Sequence, residues 1–138
     1  MKMELNRIGE NFAFEAKNER GNLITIDSSS GAESVSQCFT PMELLLVGVA
    51  GCSGIDMVHI LKKQRQQIDS FSISVDAEKE KVEEYSVWKK IHLVYTLHGT
   101  IDPEKAKRSA DLSHEKYCSV SKALGHTSEI TYSVIVNP

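Results

Sequence analysis

The sequence is poor in the residues that mark specialised architectures. It has three prolines and one tryptophan in 138 residues, and no Pro/Gly/Ser tract or internal repeat that would mark a linker or solenoid. The simplest reading is one domain over residues 1–138, long enough to bury a proper core. Cysteine is scarce and unpaired. Cys38, Cys52 and Cys118 are an odd number with no CxxC, which argues against a disulfide scaffold and a zinc site, so thiol chemistry here would be reactive rather than structural. The five histidines, His59, His92, His98, His114 and His126, also lack ligand spacing and read as solvated, so neither metal nor cofactor is expected. Sixteen basic residues against nineteen acidic ones leave a net charge of -3, with no basic block longer than the stretch from Lys62 to Arg65. Nucleic acid is therefore not an expected partner. No apolar leader-like run opens the sequence, and its most apolar run is interrupted by Glu43 and Asp56, short of the ~20 residues a membrane span needs. The expectation is a soluble, cytoplasmic protein with no membrane partner.

What is present alternates between strand and helix signals. Met1, Met3 and Leu5, then Phe12 to Ala16 and Leu23 to Asp27 around an "NERGN" turn, predict an N-terminal meander. Phe71, Ile73, Val75 and Ala77, then Ile91, Leu93, Tyr95 and Leu97, predict a hairpin whose turn is the charged "EKEKVEEY". Asp102 as N-cap, Pro103 at the first helical position and Gly125 beyond the end bracket a helical segment, kinked or broken near Ser113. "EITYSVIVN" closes as a strand. The order predicts an α+β fold with antiparallel sheets rather than a doubly wound one.

Between meander and hairpin runs "TPMELLLVGVAGCSGIDMVHILKKQRQQ". Thr40 and Glu43 form a capping box with Pro41 where a missing N–H costs nothing, so a helix is predicted from Thr40 to Gln67. Its first half is apolar on all sides and requires cover by a sheet or another subunit. Gly48, Gly51 and Gly54 each cost about 1 kcal/mol of helix propensity, which close approach of another backbone would offset. Gly48, Cys52, Ile55 and His59 make one stripe, with Asp56 a turn beyond Cys52. Asp56 disfavours a thiolate, so Cys52 is either a reactive thiol or core filling. Cys118 lies where a short last helix would begin, so a helix dipole could favour its thiolate. It is equally readable as a space-filler beside a stripe of Tyr117, Val120 and Leu124.

The capped "TPMELLL…GC" helix, the "LSHEKYCSVSKALG" segment and the "ITYSVIV" strand together resemble the OsmC/Ohr family, the osmotically inducible and organic hydroperoxide resistance proteins, over nearly the whole chain. The resemblance implies antiparallel sheets wrapped around a long central helix, in an intertwined homodimer with active sites at the subunit interface. It also implies a thiol peroxidase for small organic hydroperoxides, recharged by a dithiol reductant, with Cys52 as attacking thiol and Cys118 as resolving thiol. Met42, Leu45, Leu46 and Val49 would form a greasy substrate pocket. The peroxidases it resembles carry a glutamate directly after the helix-start proline, where it orients an arginine onto the thiolate. Here that position is Met42, with Glu43 one residue on, and Arg7 and Arg20 are the N-terminal candidates for the activating arginine. A dimeric small-molecule-binding or redox-sensing protein with little turnover is the alternative.

Overall fold

The computed structural model describes residues 1–28 and 38–138, which form two compact units, Met1–Leu45 and Leu46–Pro138. In the first, β1 (Met3–Arg7), β2 (Phe14–Asn18) and β3 (Leu23–Ile26) pair antiparallel in sequence order. The Asn18 side chain accepts from the backbone N–H of Arg20 and Asn22, and Gly21 takes φ +85°, so "NERGN" is the predicted turn. Met3, Leu5, Phe14 and Leu23 remain exposed on this sheet.

The long helix α1 spans Pro41–Lys63 and begins at the predicted capping box: Glu43 N–H donates to Thr40 Oγ1 (3.3 Å), and Thr40 N–H donates to Glu43 Oε1 (3.0 Å). It stops four residues short of the predicted Gln67. Arg65 adopts φ +59°, its N–H bonds the Lys62 carbonyl and that of Gln66 bonds Leu61, the Schellman closure usually built on glycine. With arginine in that position, the stop carries no sequence signature. At 23 residues, with a mean hydropathy of 1.9 over its best window, α1 does satisfy the length and composition of a membrane span, contrary to expectation. Its buried residues, Val49, Ser53, Gly54, Met57 and Leu61, lie on one side, while Leu45, Val47 and Ile55 are exposed.

In the second unit β4 (Gln67–Val82) and β5 (Tyr85–Thr100) form a long antiparallel hairpin. The charged segment expected as a turn is itself paired strand, and only Glu83 and Glu84 turn, Glu83 at φ +54°. Alternating charge is what makes this pairing work: Glu78 opposes Lys90, Glu80 lies 3.5 Å from Lys89, and Lys79 sits over the Trp88 ring. The last strand, β6 (Glu129–Val136), runs parallel to β5, so this sheet is mixed rather than antiparallel. A parallel return needs a long crossover, supplied by α2 (Pro103–Leu112), a π-helical turn (Ser113–Tyr117) and α3 (Ser119–Leu124). Asp102 caps α2 by accepting from Glu104 N–H at 2.9 Å, and the predicted break near Ser113 is the π turn. The core lies between Met57 and Leu61 of α1, Ile91, Leu93, Tyr95 and Leu97 of β5, and Ala106 and Ala110 of α2.

Among the described residues, no neighbouring backbone approaches the helix glycines. A Cβ on Gly48 would make ordinary contact with Val120 at 3.6 Å, one on Gly51 would meet nothing, and one on Gly54 would crowd the Ile73 side chain at 2.6 Å. Gly99, unremarked in the sequence, is the demanding one. It sits at φ +147° opposite the bulge that Asp69 makes in β4, and the Asn137 side chain bonds both its N–H and its carbonyl at 3.0 Å. A Cβ there would land on the Gln67 carbonyl oxygen and lie 2.9 Å from Asp69 N. Gly99→Ala is expected to destabilise the fold by about 2 kcal/mol, read as a lower urea midpoint at unchanged slope.

Candidate active site

Cys52 and Asp56 project from adjacent turns of α1. Cys118 is presented at the break between the π turn and α3, where its backbone becomes extended (φ -76°, ψ 102°) and its sulfur caps α3 by accepting from Ser121 N–H at 3.3 Å. The two sulfurs, sixty-six residues apart in sequence, and a carboxylate oxygen of Asp56 all lie within 4.8 Å of one another. Ser113 Oγ donates to Asp56 Oδ2 at 2.8 Å and fixes the carboxylate. None of the three cysteines forms a disulfide.

The two thiols differ in environment. Cys52 is half-buried, whereas Cys118 has no exposed surface. Burial pushes the Cys118 thiol up, and the N–H and hydroxyl of Ser121 oppose this only in part. The start of α3, six residues long, favours the thiolate through the Ser121 N–H as expected, but burial outweighs it. Tyr117 is half exposed, so the last core stripe contains Val120 and Leu124 without it.

Behind Cys118 runs a buried polar network. Ser53 Oγ must donate to the Val49 carbonyl (2.8 Å), so it accepts from Tyr95 OH at 2.6 Å. With its proton spent, the Tyr95 oxygen accepts from His114 Nε2 at 2.7 Å, leaving His114 Nδ1 as acceptor for Ser121 Oγ at 2.9 Å. The order of protons assigns His114 as the neutral Nε2–H tautomer. Its ring stacks on Tyr132, centroids 4.3 Å apart, and Tyr132 OH donates to Asp111 at 2.7 Å. Burial lowers the His114 pKa, with Asp111 and Asp56 opposing, and burial raises that of Tyr95 to about 12. The Tyr132 hydrogen bond, first among its influences, holds Asp111 below the usual carboxylate range. His114 is thus not solvated as expected, and the sequence offered no sign of its partners because they come from β5, β6 and α3.

A histidine whose folded pKa is depressed favours the folded state while neutral, so its contribution is complete above the unfolded pKa of about 6.5 and is lost as pH falls below it. Thermal unfolding is expected to fall from pH 7 to pH 5 more steeply in the native protein than in His114→Gln.

The remaining predicted residues have these local settings. Glu43 is engaged in the capping box. Arg7 spends its guanidinium on the backbone carbonyls of Glu10 and Asn11, and Arg20 lies in the β2–β3 turn. Met42 is half-buried and Leu45 is 41% exposed. Leu46 packs against the core, and Val49 is fully enclosed in it and offers no surface to a pocket. Two openings border the second unit's site elements. An apolar cleft of about 400 Å³ lies between Gly51, Gly54, Ile55, Val58 and His59 of α1 and Phe71 and Ile73 of β4. A polar one of about 370 Å³ reaches His114 and Ser121 beside Lys122 and His126. His92 bonds Thr131 (2.7 Å) and Ser133 (3.3 Å), away from both. Cys52, Asp56 and Cys118 are donors that could surround a cation, which the sequence pattern did not reveal because the third lies beyond the whole β4–β5 hairpin in sequence.

The OsmC-like protein family matches residues 32–133. The chain belongs to this family. Protein YhfA of Escherichia coli K12 is 34% identical over 125 residues, 90% of each chain. A hypothetical protein from Aquifex aeolicus has the same fold, with TM-score 0.80 and 29% identity over 99% of this chain and 97% of that one. The organic hydroperoxide resistance protein OhrB of Bacillus subtilis superposes with TM-score 0.68 at 21% identity, covering 97% of this chain and 98% of its own, a likeness of fold. This OsmC-like chain therefore shares its architecture with peroxide-resistance proteins, including the long helix that carries Cys52.

Proposed function

We propose that this OsmC-like protein is a thiol-dependent peroxidase that reduces small organic hydroperoxides through Cys52 and Cys118. The observation that carries the reading is two thiols on separate elements with sulfurs within 4.8 Å, close enough to join with little movement. Cys52 is the reachable sulfur and suits first attack: ROOH + Cys52–S⁻ + H⁺ gives Cys52–SOH and ROH. Cys118, sealed and with its thiol pushed up, suits the second step, in which Cys52–SOH + Cys118–SH gives the disulfide and water. A dithiol donor then exchanges with the disulfide and restores both thiols. The compartment that fits persistent free thiols is the cytoplasm.

The assembly in this reading is a homodimer. Leu45, Val47 and Ile55 on α1, with Met3, Leu5, Phe14 and Leu23 on the first sheet, are more apolar surface than a lone protomer ordinarily exposes, and a second copy is the natural cover. Asp56 favours the second reading, a redox sensor of low turnover, because the side chain that shares the cluster with both sulfurs is a carboxylate. Cumene hydroperoxide consumption in the presence of dithiothreitol separates the two. Dithiol-dependent turnover by the native protein and its loss in Cys52→Ser are expected of the peroxidase, and equal rates in both proteins would contradict it.

A further inference from the structure

Asp56 is the one member of the cluster that thiol chemistry does not use. Its carboxylate lies within 4.8 Å of both sulfurs, and Ser113 holds it in place. A dication bound among these three donors would offset two of their three negative charges. The arrangement has the features such a site requires. Two donors, Cys52 and Asp56, sit four residues apart on one face of α1, and the third, Cys118, arrives from a different element. A four-coordinate zinc ion with its sulfurs at about 2.3 Å spaces neighbouring donors roughly 3.5 to 3.8 Å apart, a modest contraction of the observed cluster. Outer hydrogen bonds exist for two of the three donors, from Ser113 Oγ to Asp56 and from Ser121 N–H to Cys118. Two thiolates select zinc-class ions over magnesium or calcium.

We propose that Cys52, Asp56 and Cys118 bind one thiophilic divalent cation per chain when both thiols are reduced, leaving a fourth position open. The binding stands apart from the peroxidase reading. Its consequence rests on that reading: one hydroperoxide oxidises the pair, ROOH + 2 RS⁻ + 2 H⁺ giving RS–SR, ROH and H₂O, and the ion leaves with its two sulfur donors gone. Metal occupancy then protects the reduced pair, and its release reports oxidation.

Anaerobic titration of the reduced, metal-free full chain with Co²⁺ tests this. One cobalt per chain is expected, with a near-ultraviolet thiolate charge-transfer band and the visible bands of a four-coordinate ion. Cys52→Ser and Cys118→Ser should each weaken that band, Asp56→Asn should weaken binding by at least about 10-fold, and Ser113→Ala by about 10-fold through the outer hydrogen bond. Ser113→Ala, which removes no donor, keeps the test open should Asp56→Asn fail to fold. Absence of the charge-transfer band, or one affinity shared by the native protein, Asp56→Asn and Ser113→Ala, overturns the site. Cumene hydroperoxide is then added with and without cobalt. A disulfide that forms in metal-free protein that never bound cobalt sinks the metal site alone, whereas cobalt binding with no disulfide sinks the redox couple alone. Cobalt retained by the disulfide form overturns the release.

Discussion

Cys118→Ser protein consumes only about two to three equivalents of hydroperoxide per chain and then stops, as its Cys52 passes through sulfenic acid and accumulates as sulfinic and sulfonic acid. The expectation follows from what Cys118 does for its neighbour. A sulfenic acid on Cys52 survives only until a thiol or a second oxidant reaches it, and Cys118 is the thiol within 4.8 Å. Serine keeps the hydrogen-bonding volume at the α3 cap, where Ser121 N–H now bonds Cys118 Sγ, so the helix start is preserved while the resolving sulfur is lost. Cys52→Ser, by contrast, should consume none. The measurement is turnover number together with intact-mass analysis of Cys52 oxidation state. Sustained turnover by Cys118→Ser at the native rate would show that an external thiol resolves Cys52 and that the proximity of Cys118 is incidental.

Tyr95→Ala is expected to leave little folded protein at 37 °C, while Tyr95→Phe folds with a loss of about 2 kcal/mol. Tyr95 is the largest fully buried side chain of the core and packs edge-on against Phe71 and Tyr132. Deleting a buried aromatic ring typically costs about 3–5 kcal/mol, against a total stability of about 5–15 kcal/mol for a domain. Phenylalanine keeps the ring and removes only the oxygen, so it isolates the polar network. His114 Nε2–H then has no acceptor and Ser53 Oγ loses its donor, an unmet hydrogen-bonding cost of about 1–3 kcal/mol. Urea denaturation of both variants reads the difference. A Tyr95→Phe protein as stable as the native one would mean that the proton order through Ser53, Tyr95 and His114 contributes nothing to folding.

Much of the fold was legible because local chemistry decided it. The capping box at Thr40, the Asp102–Pro103 start of α2, the Asn18 turn and the period-two runs of β4 and β5 each rest on residues within one turn of each other. What escaped notice was settled by tertiary context. Arg65 closes α1 in a conformation normally left to glycine, the charged tip of the hairpin is held by cross-strand pairs, and β6 runs parallel because the helical crossover carries the chain back toward the end where β5 begins. The site divides in the same way. The two cysteines stood out by their surroundings in sequence, Cys52 on its apolar helix and Cys118 at a helix start. Ser53, Tyr95, His114 and Ser121 did not, since two serines, a tyrosine and a histidine scattered over four elements share no spacing until the sheet and α1 bring them together.

The central claim is that Cys52 and Cys118 form one redox couple. Reduced, metal-free native protein treated with one equivalent of cumene hydroperoxide, alkylated and digested under non-reducing conditions, should yield a peptide pair linked through Cys52 and Cys118, reversible by a dithiol. Both thiols recovered as separate alkylated or over-oxidised peptides, with no linked pair, would contradict it.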